Sequence, residues 1–251
     1  ANHNITVYMS HSGYTGADIG EYGQPGSNGL AIDKEGRLIV DQHGNRRVVR
    51  YEKKGPLTIL ADTIGGKRFN SPNDLVIKSD GAIYFTDPPY GLPAFFSDPR
   101  KELDYSGVFM IRDGKVSVVS KDLGGPNGIA FSNDEKYLYV SNWDIRDIHH
   151  TKTLWRYEVQ PDGTLRNGII FFDFSFTEDE EALDGIKVDK EGNLFVSAPG
   201  GVSILVDTGT AHAGNRHVVP YLRRRGVKRL DLLVITHEHA DHAGGAGAVA
   251  G

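Results

Sequence analysis

Apolar and polar residues alternate over short stretches along most of the chain, and one phrase returns four times. The copies begin at Asn28, Asn73, Asn127 and Asp184, at intervals of 45, 54 and 57 residues. Each copy contains a polar residue, a short apolar strand, an acidic turn and a second alternating strand, as in NGLAIDKEGRLIV. Recurrence at this period predicts a repeat architecture.

Further strands are predicted after most copies. Val108–Ile111 and Val116–Val119 flank the turn sequence RDG, and Thr153–Val159 precedes the turn sequence PDG. Four strands per repeat are typical of β-propeller blades, and 31 glycines and 11 prolines supply the turns that such a fold requires. We therefore expect residues 1–203 to form an all-β domain, an incomplete β-propeller of about four blades.

The first residue of each copy is the main candidate for chemistry. The first strand of a blade lines the propeller axis, so Asn28, Asn73, Asn127 and Asp184 are expected to converge there. Three amides and a carboxylate form an oxygen-rich ring that suits a hard cation such as calcium. The alternative interpretation is that Asn-Gly and Asp-Gly are simply turn dipeptides.

The last 48 residues, 204–251, follow a different pattern. A buried strand is predicted to start at Ile204, a helix over His217–Arg225 ends at Gly226, and a second strand covers Leu230–Thr236. This order predicts a short α/β segment, distinct from the repeats.

The second strand of this segment leads into the sequence HEHADH. Imidazole nitrogen is a favoured zinc ligand, so His237, His239 and His242 are candidate zinc ligands. Asp241 is a candidate for a second metal or its water. The alternative interpretation is a helix N-terminus with surface histidines.

Composition narrows the possible partners. The net charge of -5 gives no electrostatic reason to expect nucleic acid or a membrane surface as a partner. The absence of cysteine excludes disulfides, thiolate zinc sites and a cysteine nucleophile. No apolar run approaches the ~20 residues needed to span a bilayer. No signal peptide is visible, and both cytoplasmic and periplasmic locations fit the sequence.

The repeat portion resembles the gluconolactonase/regucalcin (senescence marker protein) family of six-bladed propellers. The segments that carry the resemblance are DQHGNRRV at 41–48, KRFNSPND at 67–74, YFTDPPYG at 84–91, GPNG at 125–128 and LDG at 183–185. The resemblance implies a divalent ion, usually calcium, at the axis. It also implies a glutamate ligand from a Glu-Gly-Pro motif, for which Glu21 is the nearest residue, in a context that does not match.

The same resemblance implies roles for individual residues. Asn127 and Asp184 are implied as metal ligands, and Asn73 as a ligand or substrate contact. Asp184 doubles as the base that activates water against a lactone carbonyl. We assign substrate binding to Asn73, Asp74 and Arg68.

The C-terminal segment resembles the metallo-β-lactamase superfamily, particularly the hydrolase domain of DNA-uptake competence proteins. The phrases that carry the resemblance are LVDTG at 205–209 and LLVITHEHADHAGG at 232–245. The superfamily site takes a third histidine and a further Asp and His from downstream segments. The sequence therefore suggests a chimera of two fold types.

Three functional hypotheses follow. The first is a metal-dependent hydrolase of a cyclic ester, a lactone, at the propeller axis, with calcium as cofactor. The second is a zinc-dependent hydrolase of β-lactams that uses the C-terminal histidine cluster, a possible antibiotic-resistance activity. The third is a non-catalytic oligomeric scaffold. Homo-oligomerisation is a candidate means of closing the open propeller.

Overall fold

A computed structural model of the chain describes most of its residues. The described residues are 6–146, 151–175, 182–197, 204–206, 212, 214–220, 232–234 and 246. The chain divides into two compact units, residues 1–186 and residues 187–251. A domain boundary at residue 203 stays a prediction.

The first blade is a four-stranded antiparallel sheet in sequence order. Its strands are β1 (Ser27–Ile32), β2 (Leu38–Gln42), β3 (Arg47–Tyr51) and β4 (Thr58–Ala61). A short 3₁₀ turn, Ile19–Glu21, precedes it. A small two-stranded pair follows, β5 (Thr63–Ile64) with β6 (Lys67–Arg68).

The second and third blades repeat this arrangement. The second contains β7 (Leu75–Ile77), β8 (Ile83–Asp87), β9 (Gly107–Arg112) and β10 (Lys115–Ser120), with 3₁₀ turns Pro89–Gly91 and Phe95–Ser97 between β8 and β9. The third contains β11 (Pro126–Phe131), β12 (Tyr137–Asp144), β13 (Thr151–Val159) and β14 (Leu165–Asp173). The strands predicted over 108–111, 116–119 and 153–159 lie within β9, β10 and β13, so these predictions are confirmed.

The acidic turns between the first two strands follow one design. Asp33 Oδ1 accepts hydrogen bonds from the backbone N–H groups of residues 35 and 37, at 3.0 and 2.8 Å. Asp189 Oδ1 does the same for residues 191 and 193, at 3.0 and 2.8 Å. Gly36 and Gly192 have φ values of 72° and 90°, a conformation that glycine adopts without strain.

The core lies between successive blades. Alternate residues of a strand point to opposite faces of the sheet, so the second blade contributes to two apolar clusters. Its residues Phe85 and Phe109 pack against Ile39 and Val48 of the first blade. The opposite face packs against the third blade in a cluster that includes Tyr84, Val108, Met110, Ile129 and Val140.

The first strands of successive blades are neighbours. β1 contacts β7, and β7 and β8 contact β11, as in a propeller. β1 differs from the first strands of the next two blades in the burial of one apolar residue. Leu30 is 58% exposed, whereas Leu75 and Ile129, which hold the same place in the next two blades, are 4% and 1% exposed.

The remaining described elements are short. β15 (Ile186–Val188) and β16 (Leu194–Val196) form a fourth, two-stranded sheet. β17 (Ile204–Val206) pairs in parallel with β18 (Leu232–Val234), and a helical segment, Gly214–Val218, lies between them in sequence. The prediction of an incomplete all-β propeller is confirmed, whereas most of the helix predicted over 217–225 lies outside the described residues. No helix among the described residues is long and apolar enough to cross a membrane.

Candidate active site at the starts of the first strands

The first residues of the repeats lie in irregular backbone rather than in turns. Strand pairing in β1 skips from residue 27 to residue 30, and in β11 from residue 126 to residue 129. Asn28 and Asn127 therefore lie in β-bulges, where two residues oppose one on the partner strand. A bulge bends the strand and re-aims its side chain, which is a common device beside active sites.

The glycines that follow these asparagines allow the next blade to approach. A Cβ on Gly29 would lie 2.9 Å from the carbonyl oxygen of Asn73, and a Cβ on Gly128 would lie 2.3 Å from that of Asp184. Neither glycine has a positive φ. The dipeptide Asn-Gly is explained here by close approach between blades and not by a left-handed turn.

The three asparagine side chains form a chain of hydrogen bonds across the blades. Asn28 Nδ2 lies 3.0 Å from His43 Nδ1 and also donates to Asn73 Oδ1. Asn73 Nδ2 donates to Asn127 Oδ1 at 2.6 Å, and Asn127 Nδ2 donates to the Leu183 carbonyl at 3.0 Å. We call this series the amide chain. It brings together residues that are far apart in sequence, at the ends of neighbouring first strands.

Asp184 lies beside the end of the amide chain. It directly follows Leu183, its side chain is exposed, and its carbonyl oxygen accepts a hydrogen bond from Ser141 Oγ at 2.8 Å. Asn73 and Asn127 are 2% and 5% exposed. The site thus combines two buried amides with one carboxylate that solvent can reach.

In the second and third blades, a hydroxyl on the second strand connects the blade to the repeat that follows it. Thr86 Oγ1 donates to the carbonyl of Asn127 at 2.6 Å, and Ser141 Oγ donates to that of Asp184. By strand register, Asp41 occupies the same position in the first blade. Asp41 is fully buried, and its two carboxylate oxygens have no hydrogen-bond partner among the described residues. Burial, and then the charges of two nearby aspartates, raise its pKa well above the usual value.

The two predicted substrate contacts beside Asn73 have different surroundings. Asp74 Oδ1 accepts from the backbone N–H of Leu75 at 2.9 Å, and its Oδ2 accepts from that of Ile129 in the next blade at 3.2 Å. Arg68 is exposed on β6, and its Nη2 donates to the Asn45 carbonyl at 2.9 Å. Their roles in substrate binding stay predictions.

Other residues considered from the sequence are placed as follows. Glu21 is exposed and forms an ion pair with Arg100. His237, His239, Asp241 and His242 lie outside the described residues, so their role in zinc binding stays a prediction. Within the described part of the chain, no group of three His, Cys, Asp or Glu side chains is placed to hold a metal. The axial donors are mainly amides, which are not among these residue types.

A family model decides the identity of the repeat portion. The model described as SMP-30/Gluconolactonase/LRE-like region matches residues 4–220. The chain belongs to this family.

Individual members of the gluconolactonase family show how much of the fold is shared. A gluconolactonase of Zymomonas mobilis is 36% identical over 215 residues, which cover 82% of this chain and 58% of the relative. A solved gluconolactonase from Xanthomonas campestris is 34% identical with a TM-score of 0.60, over 71% of this chain and 58% of that one. A regucalcin from Agrobacterium tumefaciens is 21% identical with a TM-score of 0.50, over 68% of this chain and 52% of that one. This likeness shows a shared fold. The chain spans little more than half of each relative.

The C-terminal segment has separate matches. The metallo-β-lactamase superfamily model matches residues 190–251. The competence protein ComA of Neisseria gonorrhoeae is 50% identical over 46 residues, which are 18% of this chain and 7% of that protein.

Sequence reasoning missed three buried polar residues of this gluconolactonase-family chain. They are His43, Asp41 and Asp87. Asp87 is fully buried, and burial raises its pKa to about 7 although its carboxylate accepts backbone hydrogen bonds from residues 70 and 71 at 2.7 Å. A register alignment of the repeats would have revealed Asp41, because it stands where the next blades carry hydroxyls.

Proposed function

We propose that the protein hydrolyses a lactone at the site formed by Asn73, Asn127 and Asp184. The observation that carries this proposal is the direct amide contact of 2.6 Å between Asn73 and Asn127, which continues to the residue before Asp184. Membership of the gluconolactonase family supports a lactone as substrate, and a sugar lactone such as gluconolactone is the first choice.

The donor atoms of the site fit a hard divalent cation. In the amide chain, Asn73 Oδ1 and Asn127 Oδ1 each accept one hydrogen bond, and an amide oxygen has a second lone pair. Together with the Asp184 carboxylate, they offer the all-oxygen ligand set that calcium prefers. A calcium ion bound by these residues would polarise the lactone carbonyl and lower the pKa of a bound water.

The protein's own side chains supply the remaining chemistry. Asp184 is exposed to water and serves as the base that takes a proton from the attacking water. Asn73 and Asn127 are buried and held by their neighbours, so they orient the reacting groups without a loss of side-chain freedom in each turnover. Arg68 and Asp74 complete the proposed substrate contacts.

The test is hydrolysis of gluconolactone, measured as the release of acid. The assay is run with calcium and again after treatment with a chelator. We expect Asp184→Asn to lower kcat by about 10²–10⁴-fold, the usual loss for a general base. Glu191→Gln is the control, because Glu191 is exposed in the turn between β15 and β16 and only its backbone N–H is hydrogen-bonded there. A wild-type protein that hydrolyses no lactone with calcium, zinc or manganese would contradict the proposal.

A second candidate function is supported by the metallo-β-lactamase match over residues 190–251 and by the parallel pair of β17 and β18. In this alternative, the segment is the second part of a chimera. In this alternative, zinc held by His237, His239 and His242, with Asp241, supports β-lactam hydrolysis.

The test of this alternative measures zinc content and hydrolysis of a chromogenic cephalosporin in the wild-type protein and in His239→Ala. Zinc that survives this substitution excludes the alternative, and a protein that takes up no metal leaves only the oligomeric scaffold.

A further inference from the structure

We propose that His43 is a positioning residue that closes the amide chain and thereby fixes the amide oxygens of Asn73 and Asn127. Its catalytic consequence rests on the proposed function, whereas its geometry does not.

The direction of the amide chain is set at one end. The Leu183 carbonyl can only accept, so Asn127 must present its NH₂ group to it. The oxygen of Asn127 then faces Asn73, which must donate to it. Asn73 Oδ1 in turn faces Asn28, whose NH₂ group donates. One backbone carbonyl thus orients three side-chain amides.

This direction also determines the protonation of His43. Asn28 Nδ2 can only donate, so His43 Nδ1, 3.0 Å away, must accept, and the ring proton lies on Nε2. Burial lowers the pKa of His43 to about 4, so the ring is neutral at physiological pH. Nε2 is buried without a hydrogen-bond partner among the described residues. A buried N–H without a partner costs stability, and the contact at Nδ1 gives a reason for a histidine at this position.

The His43 ring is buried and closely packed, whereas the Asn28 side chain is exposed. The His43 ring is 2% exposed, and a Cβ on Gly91 would lie 1.7 Å from its Cδ2 atom, so the backbone at Gly91 packs directly against it. The Asn28 side chain is exposed, and packing does not hold it. The bond from Asn28 to His43 therefore supplies the second fixed end of the amide chain.

The consequence lies at the two amide oxygens. An N–H donor on one side of Asn73 Oδ1 and of Asn127 Oδ1 directs the remaining lone pair of each. Without the acceptor on His43, Asn28 keeps only its hydrogen bond to Asn73, and the orientation of both amides is then less restricted. We expect a hard cation to bind more weakly as a result.

The first test is the tautomer of His43 in the wild-type protein, read by NMR from the ring ¹⁵N shifts of a labelled sample. We expect a proton on Nε2 alone, with no change between pH 5.5 and about 8, because the ring stays neutral. A proton on Nδ1 would overturn the proposal, because Nδ1 could then not accept the hydrogen bond from Asn28. This result is independent of any metal or activity.

The second test compares two substitutions by calcium titration calorimetry. His43→Asn keeps an acceptor oxygen near the position of Nδ1, whereas His43→Leu removes it, and both lose the packing of the ring. We expect the leucine variant to bind calcium about tenfold more weakly than the asparagine variant, the value of one hydrogen bond. Equal losses in the two folded variants would overturn the proposal. Absence of calcium binding by the wild type would count against the proposed function, and the NMR measurement would still decide the role of His43.

Discussion

Asp41 and Asp87 are both fully buried, but their carboxylates have different surroundings. Asp87 accepts two backbone hydrogen bonds, from residues 70 and 71. Asp41 has no hydrogen-bond partner among the described residues. Hydrogen bonds to a buried carboxylate offset part of the cost of its burial, whereas a carboxylate without a partner bears the whole cost in its charged form.

We predict opposite effects of two similar substitutions. At pH 8, Asp41→Asn should raise the free energy of unfolding by about 1–3 kcal/mol, because burial penalises the ionised form of this carboxyl group and an amide carries no charge. Asp87→Asn should lower it by about 1–3 kcal/mol, because one backbone N–H then faces an amide N–H. Urea unfolding at pH 8 measures both. A less stable Asp41→Asn variant at this pH would contradict the first expectation.

The pH dependence has a definite sign. Burial raises the folded-state pKa of Asp87 to about 7, above the value of about 4 for an unfolded aspartate. The folded state therefore holds this proton more tightly, so the contribution of Asp87 to stability should fall as the pH rises from about 4 to about 7. Asp41, whose pKa burial also raises, adds to the loss. Urea midpoints across this range, compared with those of Asp41→Asn, should show a shallower decline in the variant.

The sequence predicts the contacts of some single residues and not of others. Asn73, Asn127 and Asp184 hold equivalent positions in a repeat, so their convergence could be predicted without knowledge of any contact. His43 has no equivalent in the other repeats. Its proposed role depends on its burial and on its contact with Asn28, 15 residues away. Such a contact exists only after the blade has folded, and no local pattern predicts it.

At the scale of elements, the start of each first strand is adapted to the next blade. Gly128→Ala would place a Cβ 2.3 Å from the Asp184 carbonyl oxygen, which is backbone and cannot turn aside. We predict a loss of about 1–3 kcal/mol in unfolding free energy. Gly26→Ala is the control, since a Cβ there meets no atom within 4 Å. Equal denaturation midpoints for the two variants would refute the close-approach explanation.

Equivalent positions on the first strands differ in burial and therefore in their tolerance of change. Leu75→Ala should cost about 2–5 kcal/mol, because Leu75 is buried between the first two blades. Leu30→Ala should cost less than about 1 kcal/mol, because Leu30 is 58% exposed. Thermal or chemical unfolding of the pair measures the contrast. Similar losses would mean that another surface covers β1 in solution.

The strands were predictable because alternation and turn sequences are local properties. The acidic turns at Asp33 and Asp189 are built from residues within one hairpin, and the sequence contains all that they need. Exposure of Leu30 was not predictable, since its sequence context matches that of Leu75. What differs is the packing: Leu75 lies in a cluster with Ile39 and Val48 of the preceding blade, whereas Leu30 is 58% exposed.

For the whole molecule, the repeat period was enough to predict an incomplete propeller, and the order of the blades followed from the chain. The contact between Asn73 and Asn127 at the starts of the first strands also followed, because equivalent positions of successive blades meet there, whereas the role of these residues in a site stays a prediction. The domain boundary at residue 203 and the zinc cluster stay predictions. Both depend on segments whose pattern is not repeated within the chain.

Because the proposed calcium ligands come from more than one sheet, bound calcium should stabilise the assembled unit. We expect the melting temperature to rise as free calcium increases and to fall with a chelator, since a ligand that binds only the folded state shifts unfolding by mass action. Asp184→Asn should reduce the shift. A melting temperature that does not respond to millimolar calcium would contradict this expectation.

The hydroxyl contacts of Thr86 and Ser141 have a further consequence. Each donates to a main-chain carbonyl of the following blade and not to a side chain. Every residue type offers such a carbonyl. A gene segment that encodes one blade can therefore be copied beside itself, and the new copy is accepted at once, before any matching substitution has arisen. The contact does not involve the side chain at the repeat start, which is asparagine in three copies and aspartate in the fourth.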